Sequence, residues 1–140
     1  MHVSFALFAD AANLSQEGKL NILGVFDALS ITTLPAVHPR ATLVVRLKAD
    51  VTDAGLHALG FCWESPDGEE IWSSSGELEV GTPPPGAHDI DIPVIASIDL
   101  PINEAGAHTL RVDLDGEPRA ALTLHVRIGA PVAPMNGLVS

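Results

Sequence analysis

Apolar and polar residues alternate along most of this chain, and turn-forming residues interrupt the alternation about every ten positions. Leu43, Val45, Leu47 and Ala49 occupy one side of a segment whose other side is Val44, Arg46, Lys48 and Asp50. A period of two marks a half-buried strand, because successive side chains leave a strand on opposite faces. Leu59, Phe61 and Trp63 repeat the pattern, and Ser65-Pro66-Asp67-Gly68 then sets up a tight turn. Proline fixes one φ of such a turn and glycine supplies a positive one. The chain returns through Ile71 and Trp72 toward Leu78 and Val80. A second hairpin runs from Leu110, Val112 and Leu114 through Asp115-Gly116, a pair favoured in two-residue loops, to Leu122, Leu124, Val126 and Ile128.

Other segments are less regular. Val3, Phe5 and Leu7 predict a first strand with those three on one face, and Asp10 to Gly18 is expected to form one turn or a short helix. From Leu20 to Leu34 both sides are apolar: Leu20, Ile22 and Phe26 on one, Leu23, Val25, Leu29 and Ile31 on the other. The plainer reading is a central strand with a bulge near Gly24. The sharper reading is a strand half covered by a partner subunit. Ile90, Ile92, Ile98 and Leu100 mark another strand, in which Pro93 points to an edge or a bulge. Gly81-Thr82-Pro83-Pro84-Pro85-Gly86 is an extended connection, either a recognition site or a rigid corner. Residues 129–140, with Pro131, Pro134 and Gly137, read as a loose tail after a domain spanning 1–128. These elements predict an all-β fold, a single antiparallel β-sandwich of about seven or eight strands, immunoglobulin-like or related. A partly closed barrel is the alternative.

Composition narrows the function classes. The chain has 140 residues, 46% of them apolar, enough for one core without staples. Lys and Arg number 7 against 18 Asp and Glu, giving a net charge of −11. A surface this acidic repels phosphate backbones and anionic lipid, which argues against nucleic-acid and membrane partners. The single cysteine, Cys62, excludes an intrachain disulfide. The N-terminal apolar run from Val3 to Ala9 has no Lys or Arg before it and is short for a secretory signal. No stretch approaches the roughly 18 apolar residues of a membrane span. A cytoplasmic location is the default, and a reduced Cys62 fits it.

Several segments together resemble a family of small uncharacterised bacterial proteins. They are Leu7-Phe8-Ala9-Asp10-Ala11-Ala12, Gly18-Lys19-Leu20-Asn21-Ile22-Leu23-Gly24 with Phe26-Asp27, and Pro35-Ala36-Val37-His38-Pro39. Glu79-Val80 with the proline-rich loop, and Ala105-Gly106 leading to Val112-Asp113-Leu114-Asp115-Gly116-Glu117, extend the likeness from about Phe5 to Ile128. The resemblance implies a shared β-sandwich fold and no particular activity. Where such proteins tend to carry an aromatic residue, often Tyr, two positions after the glycine, this chain has His108. A structural histidine in place of a structural tyrosine is the plainer reading of that departure; a ligand is the other.

Chemistry-bearing patterns are sparse. No Gly-x-Ser-x-Gly occurs, and Ser73-Ser74-Ser75 lies in a strand with exposed neighbours. Cys62 is expected to face away from Phe61 and Trp63 as an inert thiol, with His57 on the face opposite to it. The six histidines (His2, His38, His57, His88, His108, His125) include no His-x-His or His-x₃-His pair. Calcium is the stronger ionic alternative, with Asp50 and Asp53, then Asp67, Glu69 and Glu70, then Asp89 and Asp91 as loop carboxylates, none at EF-hand spacing. No catalytic, cofactor or metal residue is assigned.

The placement of charge is uneven. No Lys or Arg lies between Lys48 and Arg111, a stretch holding twelve acidic residues. Arg40, Arg46 and Lys48 precede it; Arg111, Arg119 and Arg127 follow. Strands carrying these bases, if paired, would give one basic-leaning face. Intramolecular ion pairs are the plain explanation, and docking to a basic partner or to another copy is the functional one. The resulting expectation is a non-enzymatic protein-binding or self-assembly module with Leu23, Val25, Leu29, Arg46, Lys48, Arg119 and Arg127 at its interface. A calcium-dependent or small-ligand binding domain is the alternative.

Overall fold

The computed structural model describes residues 1–129 and is built from nine strands. They are β1 (His2–Leu14), β2 (Leu20–Phe26), β3 (Ala28–Ile31), β4 (Ala36–Asp50), β5 (Gly55–Glu64), β6 (Glu70–Val80), β7 (Asp89–Ile102), β8 (Gly106–Leu114) and β9 (Glu117–Ile128), with one 3₁₀ turn at Val51–Asp53. A four-stranded sheet in the order β2-β1-β4-β7 faces a five-stranded sheet in the order β3-β9-β8-β5-β6. Neither sheet closes into a barrel, and the fold is an all-β sandwich. Apart from Gly129, the expected tail lies outside the described residues.

The core follows from alternation. Leu43, Val45 and Leu47 of β4 point inward and are fully buried, as are Leu110, Val112 and Leu114 of β8. Trp63 is buried between the sheets: its ring stands edge-on to Phe8, and its indole N–H donates to the Pro101 carbonyl of β7 at 2.9 Å. Each fully buried large side chain contributes about 1.5–3 kcal/mol through apolar area removed from water. Both expected hairpin turns form. Gly68 N–H bonds the Ser65 carbonyl, and Asp115 and Gly116 both take positive φ (52° and 80°), as a two-residue turn of the I′ kind requires.

Four expectations need correction. First, Val3, Phe5 and Leu7 do not share a face. One extra residue on β1, at Ser4, shifts the register against β4, so Val3, Ala6 and Phe8 face the core. Second, no helix forms over Asp10 to Gly18; β1 continues to Leu14 and turns into β2. Third, Leu20 to Leu34 is not one central strand. It divides into β2, at one edge of the first sheet, and β3, at one edge of the second. The chain switches sheets at Asp27, whose carbonyl accepts from His125 N–H, and β3 then runs parallel to β9, the one parallel pairing among the described residues. This division explains how Phe26 and Leu29 both pack against the core, and why there are nine strands rather than seven or eight; Leu23 and Val25 stay exposed on the other side of β2. Gly24 is not a bulge, because the register holds on both sides of it; it has φ +69°, and a side chain there would collide with the Asp10 carboxylate. Fourth, the bases form no single face: Arg46 and Lys48 lie on β4, while Arg119 and Arg127 lie on β9 of the other sheet.

Candidate functional site

The sandwich has four edge strands, and they are protected unequally. An edge presents unpaired backbone N–H and C=O groups, and proteins blunt such edges with charge, proline or shortness. Strand β7 carries Asp89, Asp91, Pro93, Asp99 and Pro101. Strand β6 carries Glu70, Glu77 and Glu79, and β3 is four residues long. Strand β2 has seven residues, Leu-Asn-Ile-Leu-Gly-Val-Phe, with neither charge nor proline. Its Leu23 and Val25 project to the outer face and are 69% and 61% exposed.

The β1–β2 hairpin also covers part of its own sheet. Leu20, Ile22, Gly18 and Lys19 share a cavity of about 420 Å³ with Phe5, Arg46, Asp91 and Pro93 on the sheet's outer face. Nearby Ala9 and Val44 point outward by alternation yet are fully buried.

At one end of the interior, where the chain crosses from β4 to β5, His57 is held from two sides. Its Nδ1 lies 2.7 Å from Asp115 Oδ2, and its Nε2 contacts the Asp53 backbone carbonyl. Those two contacts, the Asp115 carboxylate first, raise the His57 pKa. Asp115 is lowered by His57 and by the Ala58 N–H it accepts. Asp53 is lowered by the Asp50 N–H and by the Met1 amine 2.9 Å away.

Comparison with known proteins adds membership. A model for a family of unknown function, DUF6941, matches residues 4–127. The chain belongs to this family. No curated protein matches it. DUF6941 membership agrees with the likeness seen over Phe5 to Ile128 and brings a fold without an activity.

Most acidic groups of this DUF6941 protein are already engaged. Asp50 accepts from Thr52 and Asp53 accepts from Asp50, which caps the 3₁₀ turn. Asp91 bonds Arg46 at 2.7 Å, and Lys48 lies within 4.0 Å of Asp89 and Asp91. Arg111 bridges Asp113 and Glu64, and Arg119 pairs with Glu117. Exposed pairs of this kind contribute at most about 1 kcal/mol each. Among the described residues, no three His, Cys, Asp or Glu side chains converge to hold a metal ion, and no helix is long and apolar enough to cross a membrane.

The seven expected interface residues are not brought together. Leu23 and Val25 are exposed on β2, whereas Leu29 packs half-buried against the core from β3. In sheet order Arg46 and Lys48 lie two strands from β2, with Arg46 lining the cavity beneath the hairpin beside Leu20 and Ile22 rather than Leu23 or Val25, and Arg119 and Arg127 are on the other sheet. Cys62 faces away from Phe61 and Trp63, buried beside Glu70, and burial followed by that hydrogen bond raises its pKa. His108 is fully buried and stacks on Trp63 at 5.1 Å; its Nδ1 reaches the Gly106 carbonyl at 3.3 Å, and its Nε2 has no protein partner. Sequence reasoning missed the His57–Asp115 contact, which joins positions 58 apart and leaves no local signal. It also missed the edge position of β2, although the uncharged run from Leu20 to Phe26 was its visible trace.

Proposed function

We propose that the protein is a non-enzymatic, cytoplasmic self-assembly module, in which β2 pairs antiparallel with β2 of a second copy across a two-fold axis. The observation that carries this reading is the contrast among the edges: β7, β6 and β3 are blunted by charge, proline or brevity, whereas the seven residues of β2 carry no charge and include the exposed Leu23 and Val25. Antiparallel addition at such an edge satisfies backbone groups on both chains and is self-complementary. The non-enzymatic part draws support from Cys62, whose thiol is buried with a raised pKa, and from His57, whose ring nitrogens are both committed within the fold. The cytoplasmic part draws support from the same free cysteine.

Sedimentation velocity across a concentration series tests the proposal. The wild type is expected to dimerise. Leu23→Lys with Val25→Lys is expected to stay monomeric with an unchanged β spectrum, because lysine is a natural edge blocker. A wild type that is monomeric at about 1 mM, a weak-association scale by affinity arithmetic, would overturn self-assembly. Association at about 50 mM salt that vanishes at about 500 mM would instead favour charge-driven docking.

A second reading, binding of a small ligand, draws on the cavity beneath the hairpin, whose 420 Å³ suits a small molecule. A ligand held there must raise the melting temperature, and narrowing the cavity by Ile22→Trp must reduce or abolish that rise.

A further inference from the structure

We propose that His57 is a proton-controlled clasp that pins the β4–β5 crossover to the β8–β9 hairpin, closed when the imidazole is cationic and released when it is neutral. The geometry requires the cation. A backbone carbonyl only accepts, so His57 Nε2 must carry a proton to bond Asp53 O. An ionised carboxylate also only accepts, so Nδ1 must carry one to bond Asp115 at 2.7 Å. Neutral imidazole has a single N–H and keeps only one of the two contacts.

The clasp joins segments that sequence keeps far apart. Asp53 closes the 3₁₀ turn that carries the chain from one sheet to the other. Asp115 opens the β8–β9 turn with φ +52°, and it is tied to β5 twice more. Its N–H donates to the Ala58 carbonyl at 2.8 Å, and its Oδ1 accepts from Ala58 N–H at 2.9 Å. His57 points inward by the same alternation as Leu59 and Trp63, at the rim of the core.

The carboxylates that face the ring favour the closed form, while burial and the neighbouring cations, the Met1 amine and Arg119, oppose it. Asp53 and Asp115 face it directly; Asp50 and the Met1 amine act on Asp53, and Arg119 of β9 acts on Asp115. Glu77 and Glu79 on neighbouring β6 pair with Ala58 and Leu56, whose side chains leave the opposite face. The raised pKa of His57 agrees with this arrangement. A group raised on folding contributes fully below its ordinary value of about 6.5 and loses that contribution as pH rises through the raised folded value. The clasp is therefore closed below the ordinary histidine value and opens as pH rises through the raised folded value.

Nitrogen-15 NMR of the imidazole reads the clasp directly in the wild-type protein. Both ring nitrogens are expected to be protonated at pH 6, with a midpoint above that of free histidine. Amide exchange at Ala58, corrected for intrinsic rate, is expected to rise about five- to tenfold across that midpoint, the effect of losing one hydrogen bond. Asp115→Asn should lower the midpoint, and His57→Gln should make the exchange profile flat over the same range. A neutral His57 with a single N–H at pH 6 overturns the proposal, as does an Ala58 exchange profile that shows no step at the His57 midpoint.

Discussion

Replacing His108 with phenylalanine is expected to stabilise the protein. The imidazole is fully enclosed, and its Nε2 finds no partner among the described protein atoms. A buried polar atom left unsatisfied costs about 1–3 kcal/mol. The other nitrogen recovers little, because its contact with the Gly106 carbonyl is long, at 3.3 Å. A net hydrogen bond of good geometry is worth about 1 kcal/mol, and this one is at the weak end. Phenylalanine keeps a flat ring stacked on Trp63, now 5.1 Å between centroids and 18° from parallel, and it removes both polar atoms. Its slightly larger ring takes back part of the gain through tighter packing. The balance favours the variant by about 1 kcal/mol, or roughly 3–5 °C in melting temperature for a chain of this size. Urea denaturation followed by Trp fluorescence measures it. A variant less stable by about 1 kcal/mol or more would refute the reasoning and show that the imidazole is a satisfied anchor.

Four further outcomes follow from the same structure. Gly24→Ala meets both the positive φ of +69° and the Asp10 carboxylate, and should cost about 2 kcal/mol or more in chemical denaturation; adding Asp10→Ala should restore part of that loss. Trp63→Phe removes the indole bond to Pro101 that ties the sheets together and leaves a gap in the core, a loss of about 2 kcal/mol by calorimetry. Cys62 should resist a thiol reagent in the native protein and react on the timescale of unfolding, since burial and Glu70 both disfavour its thiolate. On the acid side, Asp53 and Asp115 are lowered on folding, so their contribution is present above the ordinary value of about 3.9 and is lost as pH falls through their folded values. Melting temperature should therefore drop between about pH 5 and pH 2, and Asp115→Asn should flatten part of that drop.

The sequence was most legible where one physical rule acted alone. Leu43, Val45, Leu47 and Ala49 alternate without interruption, and all four are buried. Asp115-Gly116 announces its turn because few residues tolerate two successive positive φ values. Legibility failed where a single residue reset the pattern. The extra residue at Ser4 exchanges the two faces of β1, so the visible period in Val3, Phe5 and Leu7 points to the wrong set beyond Val3. Asp27 moves the chain between sheets, and a segment that changes its inward side midway reads as a strand buried on both faces. Whether such a segment is central or at an edge depends on strand order, which local composition does not encode. The His57 cluster was hidden for the same reason: Asp53, His57 and Asp115 meet only once β5 lies beside β8.

Strand order also gives the uneven charge a structural meaning. The stretch from 49 to 110, with twelve acidic residues and no Lys or Arg, contains β6 and β7 entire. These are the end strands of the two sheets, and both lie opposite the ends that β3 and β2 occupy. The acidic block therefore lines the pair of edges where unpaired backbone is longest, and like charge there discourages copies from adding strands. The nearest bases, Arg46 and Lys48, turn to Asp89 and Asp91 on β7, so they moderate that edge rather than form a docking face. At the other ends of the sheets β3 is protected by its brevity, while β2 has no equivalent defence. A uniform −11 would have repelled copies from every side. Six of the block's twelve acidic residues lie on β6 and β7, which leaves β2 as the uncharged longer edge, with Leu23 and Val25 exposed on the outer face beside it.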